Sequence, residues 1–340
     1  MKIHYWPDVP NVLNQVKNVL VIDGYNDLPS KDDESAVDTI REMVAIKDRF
    51  DYIVIWSTEL SEKIFQLVIN LDYPHVTAFI PGVLNVKLQH AEIGVYPFWF
   101  VSTTDTYRRQ EFIVNYDKKM YCFESLYGKS KYHRRYAKTA ITANVPECVL
   151  QSEFLTKGSF EYGCVERNEW WEDDIVIGQI GDEFVTLNNS RILPSQVIPK
   201  KIYEQTAYSI ICETSINNNF SFFTEKIAKP ILAGRLFIVI SGVNYLRNLR
   251  SLGFKTFDGI IDESYDTVED DHKRWDMALE EIYKLTKQDQ VQVLQQCQDI
   301  VEHNYNIILG FTFNAVDNKL ATLREQHALY NPTGVPAREY

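Results

Sequence analysis

Hydrophobic and polar positions alternate with two different periods in the first third of the chain. Apolar, β-branched runs at residues 18–25, 51–58 and 75–82 predict buried strands. Between these runs, apolar residues recur at helical spacing over residues 30–50 and 59–71. Strands that alternate with helices predict an α/β domain with a parallel sheet.

The same alternation returns after residue 118. The pattern predicts strands at residues 119–124, 207–213 and 235–241, and helices at residues 132–143, 224–233 and 243–252. Residues 95–106 are predicted to be a strand that runs into a cleft loop. Residues 145–200 hold only short β runs between polar turns, which indicates an insertion that could cover a cleft. Amphipathic helices are predicted from residue 271 onward.

Two α/β halves predict a pair of Rossmann-like domains that face each other across a cleft. We place the first domain at residues 1–115 and the second at residues 116–310, with the possible insertion at 145–200 inside the second. Residues 311–340 are predicted to form a helical tail. Ligands in such sheets bind beyond the carboxyl ends of the strands, so the chemistry is expected there.

Composition narrows the class of protein. The 340 residues carry 35 Lys plus Arg against 47 Asp plus Glu, and the net charge of −12 disfavours polyanionic partners except at a local basic cleft. Five Cys without a Cys-x-x-Cys motif indicate a reducing compartment. The N-terminus lacks the apolar stretch of a signal peptide, and no run approaches 18 apolar residues. We therefore expect no membrane span and a location in the cytoplasm of a bacterial or virus-infected cell.

The most informative segment begins where a predicted strand ends at Glu213. A polar loop and two aromatic residues, Phe222 and Phe223, lead into a helix that opens with Thr224-Glu225-Lys226. Unpaired N–H groups and a partial positive charge at a helix N-terminus suit a phosphate group. A Lys in the first turn opposes the helix dipole and is easier to explain if an anion joins it. An ordinary helix start, with a Thr cap and a solvated Lys, fits the same residues.

Seven short motifs follow one another from this helix start. They are Thr224-Glu225-Lys226, Lys229-Pro230, Ala233-Gly234, Ser241-Gly242, Tyr245-Leu246-Arg247, the run SLGFKTF at residues 251–257, and Asp262-Glu263-Ser264-Tyr265-Asp266. The first four resemble the donor-binding segment of the α1,3-fucosyltransferase family. The last three add a closer resemblance to the fucosyltransferase-like proteins of phages and large viruses. The resemblance covers residues 211–266, and the remainder of the chain is similar only in layout.

The resemblance implies a GT-B glycosyltransferase whose second domain binds a nucleoside-diphosphate sugar. In that family the Lys of Thr-Glu-Lys holds the diphosphate and the Glu holds the ribose, and an Arg early in the second domain grips the phosphates. An aromatic residue, usually Tyr, precedes the motif in that family; here Phe222 and Phe223 stand in its place, and either one could flank the base. The implied donor-binding residues here are Arg134, Glu213, Phe222, Phe223, Thr224, Glu225 and Lys226.

The acceptor hydroxyl needs a base, which the family places on the first domain. Glu59 follows a predicted parallel strand, and burial near Trp56 would make it a better base. Asp105 and Asp23 are the alternatives, and a helix-opening role fits Glu59 equally. No Asp-x-Asp motif occurs in the chain, which favours GT-B over a metal-dependent GT-A fold. We therefore expect metal-independent transfer with inversion, and no cofactor beyond the nucleotide sugar.

Two classes of acceptor remain open at this stage. One is a glycan, and the other is a hydroxymethylated base of phage DNA, which requires a positive channel. Such a channel would be lined by Lys118, Lys119, Lys129, Lys131, Arg134, Arg135 and Lys138. A non-catalytic protein that binds nucleotide sugars or glycans on the same frame is the alternative from another class.

Overall fold

A computed structural model of the chain describes residues 19–23, 34–110, 112–126, 131–152, 164–165, 176–180, 182–187, 190–192 and 194–329. The chain divides into two compact units, residues 1–98 with 312–340, and residues 99–311. The division differs from the expected domains at two places. It falls at residue 98 rather than 115, and the C-terminal residues group with the first unit.

Most of the described elements that the sequence pattern predicts are present. The strands are β1 (Val19–Asp23), β2 (Tyr52–Trp56), β3 (Val76–Ile80), β4 (Gly82–Leu84), β5 (Glu92–Val95), β6 (Tyr121–Ser125), β7 (Val149–Ser152), β8 (Cys164–Val165), β9 (Val176–Ile180), β10 (Asp182–Leu187), β11 (Ser190–Ile192), β12 (Thr206–Cys212), β13 (Phe220–Phe222) and β14 (Phe237–Ile240). The α-helices are α1 (Glu34–Ile46), α2 (Glu62–Asn70), α3 (Phe98–Gln110), α4 (Tyr132–Asn144), α5 (Lys200–Gln205), α6 (Glu225–Leu232), α7 (Tyr245–Ser251), α8 (Asp271–Leu285), α9 (Gln290–Leu309) and α10 (Asn314–Leu329).

The first unit is built on a parallel sheet with the strand order β1-β2-β3-β5. In β2, residues 53–56 are all buried, as expected for a strand that is covered on both faces of the sheet. Helix α10 packs on this unit through Val316, Leu320 and Leu323, which join a core cluster with Trp56 and Phe79. Their spacing of four and three residues places them on one helical face, which explains why the C-terminal helix belongs to the first unit.

The second unit contains a parallel sheet with the order β14-β12-β6-β7-β8. From β6 the chain adds β7 and β8 on one side, and then returns to add β12 and β14 on the other. The order therefore reverses between β6 and β12, which is the topological switch point where ligands bind in doubly wound sheets. The fold class expected from sequence, mixed α/β with parallel sheets, is confirmed.

The stretch at residues 145–200 contributes to two different sheets. Strands β7 and β8 extend the main sheet of the second unit. Strands β9, β10 and β11 instead form a separate antiparallel sheet. The function of this stretch as a cover for a cleft stays a prediction.

The strand expected at residues 95–106 is wrong, because most of it lies in helix α3. Trp99, Phe100, Thr103 and Tyr107 are buried at intervals of three and four residues, which is the spacing of a helical face. The β-branched and aromatic residues of this run have high strand propensity, and tertiary burial outweighs that weak preference.

Among the described residues, no helix combines the length and the apolar character that a membrane crossing requires. Cys122, Cys148, Cys212 and Cys297 are free thiols.

Candidate functional site

The candidate site lies at the carboxyl ends of β6 and β12, on either side of the switch point. Helix α4 begins shortly after β6, and a polar loop at residues 213–219 follows β12. Helix α6 begins soon after this loop and the short strand β13. The first turns of two helices and one loop therefore belong to connections that leave the same edge of the sheet.

Glu213 holds these connections together through its carboxylate, which is fully buried. It accepts a hydrogen bond of 2.8 Å from the Thr224 hydroxyl and one of 2.7 Å from the Tyr245 hydroxyl. The backbone N–H of Thr214 donates to it at 3.0 Å. A buried carboxylate is tolerated only when several donors satisfy it, and this residue has them from three different segments.

Basic side chains from the start of α4 converge on the backbone of the same loop. The carbonyl oxygen of Glu213 accepts from His133 Nε2 at 2.9 Å and from Arg134 Nη2 at 3.2 Å. The next carbonyl, that of Thr214, accepts from Lys131 Nζ at 2.6 Å. His133 and Arg134 are buried, whereas Lys131 is exposed. The loop is therefore held beside a concentrated positive charge.

A further cation comes from the first turn of α6. Thr224 caps this helix, because its hydroxyl accepts from the backbone N–H of Lys226 at 3.2 Å. The ammonium of Lys226 donates to a Glu225 carboxylate oxygen at 2.7 Å and to the Thr214 hydroxyl at 3.1 Å. Its side chain is 22% exposed, so Lys226 contacts the loop without being closed off from solvent.

Glu225 is ionised in this arrangement. Burial opposes its ionisation, but attraction to Lys226 and Lys229 outweighs that effect and holds the pKa below its ordinary value. A buried, ionised carboxylate next to a partly exposed ammonium gives the start of α6 both an acceptor and a donor for a polar ligand.

The run that carries much of the family resemblance serves as the scaffold of the site. Tyr245 reaches back to Glu213, and Asp266 accepts from the backbone N–H groups of Leu246 and Arg247 at 2.8 and 2.9 Å, which caps α7. Gly242 allows the loop to approach, since a Cβ atom there would lie 2.3 Å from the backbone oxygen of Asn217. These motif residues thus fix the position of loop 213–219.

His133 is neutral at physiological pH. Its burial, reinforced by the charges of Arg134, Lys131 and Lys226, lowers its pKa to about 4, although its hydrogen bond to the Glu213 carbonyl has the opposite effect. The positive charge of the cluster therefore comes from the Arg and Lys side chains.

This pKa implies that stability depends on pH between about 4 and about 6.5. In that window the unfolded chain binds a proton at His133 that the folded chain excludes, so stability falls as the pH is lowered. We expect the free energy of unfolding to decrease by about 2 kcal/mol more from pH 7 to pH 5 in the wild type than in His133→Gln. Denaturant titrations of both proteins at the two pH values measure this difference, and equal losses would rule out the neutral, buried His133.

The two Phe side chains expected to flank the base are buried in this structure, and their contact with a base stays a prediction. Phe222 and Phe223 are 2% and 3% exposed. The ring of Phe223 packs edge-on against Tyr245 at 5.1 Å, and Phe100 lies on another side at 6.1 Å. Phe222 and Phe223 therefore belong to the hydrophobic core that lies next to the start of α6.

The candidate catalytic bases have different surroundings. Glu59 is half-buried just beyond β2, where its backbone N–H donates to the Ser57 hydroxyl at 3.2 Å. Asp105 lies on α3 instead of a cleft loop, with its side chain 58% exposed and 3.7 Å from Arg108. Asp23 is the last residue of β1, and its side chain is outside the described atoms. The catalytic role of Glu59 stays a prediction.

The basic residues expected to line one channel fall into two groups. Lys118 and Lys119 precede β6. The second group follows β6 and consists of Lys131, directly before α4, with Arg134, Arg135 and Lys138 within α4. The groups therefore lie at opposite ends of the strand, and Lys129 is outside the described residues. In the second group, Lys131 and Arg134 contact the loop of the candidate site.

Sequence reasoning did not identify the contributions of Lys131, His133 and Tyr245 to the site. The first two could have been found from their position directly after a predicted strand, where the first turn of the next helix meets the ligand-binding edge. In the part of the chain that the structure describes, no group of three or more His, Cys, Asp or Glu side chains could hold a metal ion.

At the level of sequence, no protein-family model and no curated protein matches the chain. Among solved structures, the chain is similar to the DNA modifying enzyme beta-glucosyltransferase, which was determined in the presence and absence of its substrate uridine diphosphoglucose. The likeness covers 92% of this chain and 98% of that one, with 10% sequence identity and a TM-score of 0.34. At that score it carries no argument about activity, so the function has to be inferred from the site itself.

Proposed function

We propose that the second unit binds a nucleoside diphosphate at the switch point, and that the protein is an inverting, metal-independent glycosyltransferase of the GT-B kind. The observation that carries the proposal is the convergence of Lys131, Arg134 and Lys226 at the carboxyl ends of two adjacent strands. Three cations beside two helix N-termini are suited to a ligand with several negative charges, such as a pyrophosphate group.

The same groups explain how the chemical step would be assisted. When the sugar is transferred, the nucleoside diphosphate departs with an additional negative charge. Arg134 and Lys226 are fixed by the loop before the reaction begins, so they stabilise this charge without a large rearrangement. His133 stays neutral and orients the loop.

Glu225 has the properties required of a ribose-binding residue. Its carboxylate is ionised and can accept two hydrogen bonds from vicinal hydroxyl groups. Glu213 does not contact the donor in this proposal, because its oxygens are already occupied by Thr224, Thr214 and Tyr245. We therefore assign Glu225 to the ribose and Glu213 to the positioning of the site.

The acceptor in this proposal is a hydroxyl group of a glycan or of a hydroxymethylated base in DNA. The DNA alternative draws support from two exposed side chains at the start of α4, Lys131 directly before the helix and Arg135 in its first turn. Binding through such side chains is strongly weakened by salt, whereas recognition of a glycan is not. An acceptor screen at two salt concentrations therefore distinguishes the two classes.

The experiment that tests the function is a thermal-shift screen of nucleotide sugars, followed by transfer assays in the presence of EDTA. A donor at about one hundred times its Kd adds about 2.7 kcal/mol to the stability. We expect one nucleotide sugar to raise the Tm by roughly 5 °C or more, and its sugar to be transferred with inversion. The proposal fails if no nucleoside diphosphate stabilises the protein. Stabilisation without transfer or hydrolysis would instead identify a binding protein.

A further inference from the structure

An aromatic cluster lies on the second unit where α4 and α8 begin. The His272 ring is 5.6 Å from the Tyr132 ring, 5.1 Å from the Tyr136 ring and 5.3 Å from the Trp275 ring. The Tyr132 hydroxyl and His272 Nε2 are 3.2 Å apart, and the Tyr136 hydroxyl donates to Asp276 at 2.5 Å. The rings are therefore fixed relative to one another.

One side of the aromatic cluster is buried and the other is exposed to solvent. Trp275 is 1% exposed, whereas Tyr132 is 54% exposed and His272 is also exposed. Aromatic rings that are held in place and remain accessible offer a flat apolar face on which a planar ligand can stack.

The position of the cluster ties it to the candidate site. Tyr132 is flanked in sequence by Lys131 and His133, both of which contact the backbone of loop 213–219. From the other side, Asn218 of the same loop donates to Asp271, the residue before His272, at 3.2 Å. The exposed rings and the cations therefore border the same loop.

A hydrogen bond joins the aromatic cluster to the end of strand β14. The indole N–H of Trp275 donates to the carbonyl of Ser241 at 3.2 Å, immediately beyond β14. The aromatic surface is thus anchored at the carboxyl edge of the sheet, the edge at which the pyrophosphate is proposed to bind.

We propose that Tyr132 and His272 form the surface on which the nucleobase of the donor stacks. The inference rests on the proposed function and assigns the base to residues other than Phe222 and Phe223. Every nucleobase has a π face, and stacking on an aromatic side chain is a common way to bind one beside a charged phosphate site. The surface adjoins the cationic side chains that are proposed to bind the pyrophosphate. It supplies an apolar contact for the base, which those side chains do not provide.

The test compares ligands with and without a base. Calorimetric titrations use inorganic pyrophosphate, UDP and GDP with the wild type, Tyr132→Ala, Tyr132→Phe and His272→Ala. We expect Tyr132→Ala to weaken the better-binding nucleotide about tenfold and to leave pyrophosphate affinity unchanged. Tyr132→Phe keeps the aromatic face and should bind like the wild type, and His272→Ala should weaken the nucleotide but not pyrophosphate.

The outcomes separate the two proposals. If the wild type binds neither pyrophosphate nor any nucleotide, the proposed function fails. If pyrophosphate and a nucleotide bind, but neither Tyr132→Ala nor His272→Ala weakens the nucleotide selectively, the stacking surface is overturned. His272 lies on a different helix from Tyr132, so it provides an independent test if Tyr132→Ala does not fold.

Discussion

Replacing Lys226 by Ala is expected to lower the affinity for a nucleoside diphosphate by about 10- to 100-fold. The ammonium of Lys226 lies at the start of α6 and is partly accessible, so a phosphate oxygen can replace its contacts with the Thr214 and Thr224 hydroxyls. A hydrogen bond to a charged group contributes about 1.5–3 kcal/mol, which corresponds to this range of affinity. Isothermal titration with the donor nucleotide measures the effect.

In Lys226→Ala, the loss of binding free energy for the nucleotide should exceed the loss in the free energy of unfolding. The side chain of Lys226 is partly solvated, so its removal is expected to change the free energy of unfolding by only about 1 kcal/mol. Lys255→Ala is the matched control, because it removes the same charge from an exposed position in the same unit. If Lys226→Ala binds the nucleotide as tightly as Lys255→Ala does, the site assignment is wrong.

Replacing Glu213 by Ala is expected to destabilise the protein by about 3 kcal/mol or more. The substitution leaves the buried hydroxyls of Tyr245 and Thr224, and the half-buried N–H of Thr214, without their acceptor. Each unsatisfied buried group costs about 1–3 kcal/mol, so the effects of several such groups accumulate. Urea denaturation monitored by Trp fluorescence measures the change.

A second variant, Tyr245→Phe, tests whether Glu213 acts through its hydrogen-bonded partners. Tyr245→Phe removes one donor and is expected to cost about 1 kcal/mol. In the double variant the two costs should not add, because residues in one hydrogen-bonded network are coupled. Additive effects, or a loss below about 1 kcal/mol for Glu213→Ala, would show that this carboxylate does not hold the site together.

Strands β1, β2, β3, β6, β12 and β14 and most helices could be predicted because their hydrophobic periods are strong. The apolar runs that became β2, β3, β12 and β14 are short and buried on both faces, which is the pattern of a parallel sheet. Helix α3 was missed because its aromatic and β-branched residues favour a strand locally, and only tertiary burial shows the helical face.

The order of the strands could not be read from the chain. Nothing in the run at residues 149–152 indicates that β7 lies beside β6, or that β12 returns to the opposite side. That reversal creates the switch point, so the meeting of Arg134 with the loop after β12 depends on topology rather than on local sequence.

The sequence also could not distinguish aromatic residues of a core from those of a surface. Phe222 and Phe223 stand next to the Thr-Glu-Lys motif yet are buried, whereas Tyr132 is 90 residues earlier in the chain than Phe222 and is exposed. Proximity along the chain favoured the Phe pair. The exposed aromatic surface becomes visible only when the starts of α4 and α8 are brought together.

The most direct measurement of the central claim is a crystal structure of the protein with a bound nucleoside diphosphate. We expect the pyrophosphate within hydrogen-bonding distance of Lys226 and beside Arg134, at the carboxyl ends of β6 and β12. A nucleotide bound elsewhere, with Lys226 still held only by Glu225 and the two Thr hydroxyls, would contradict the account.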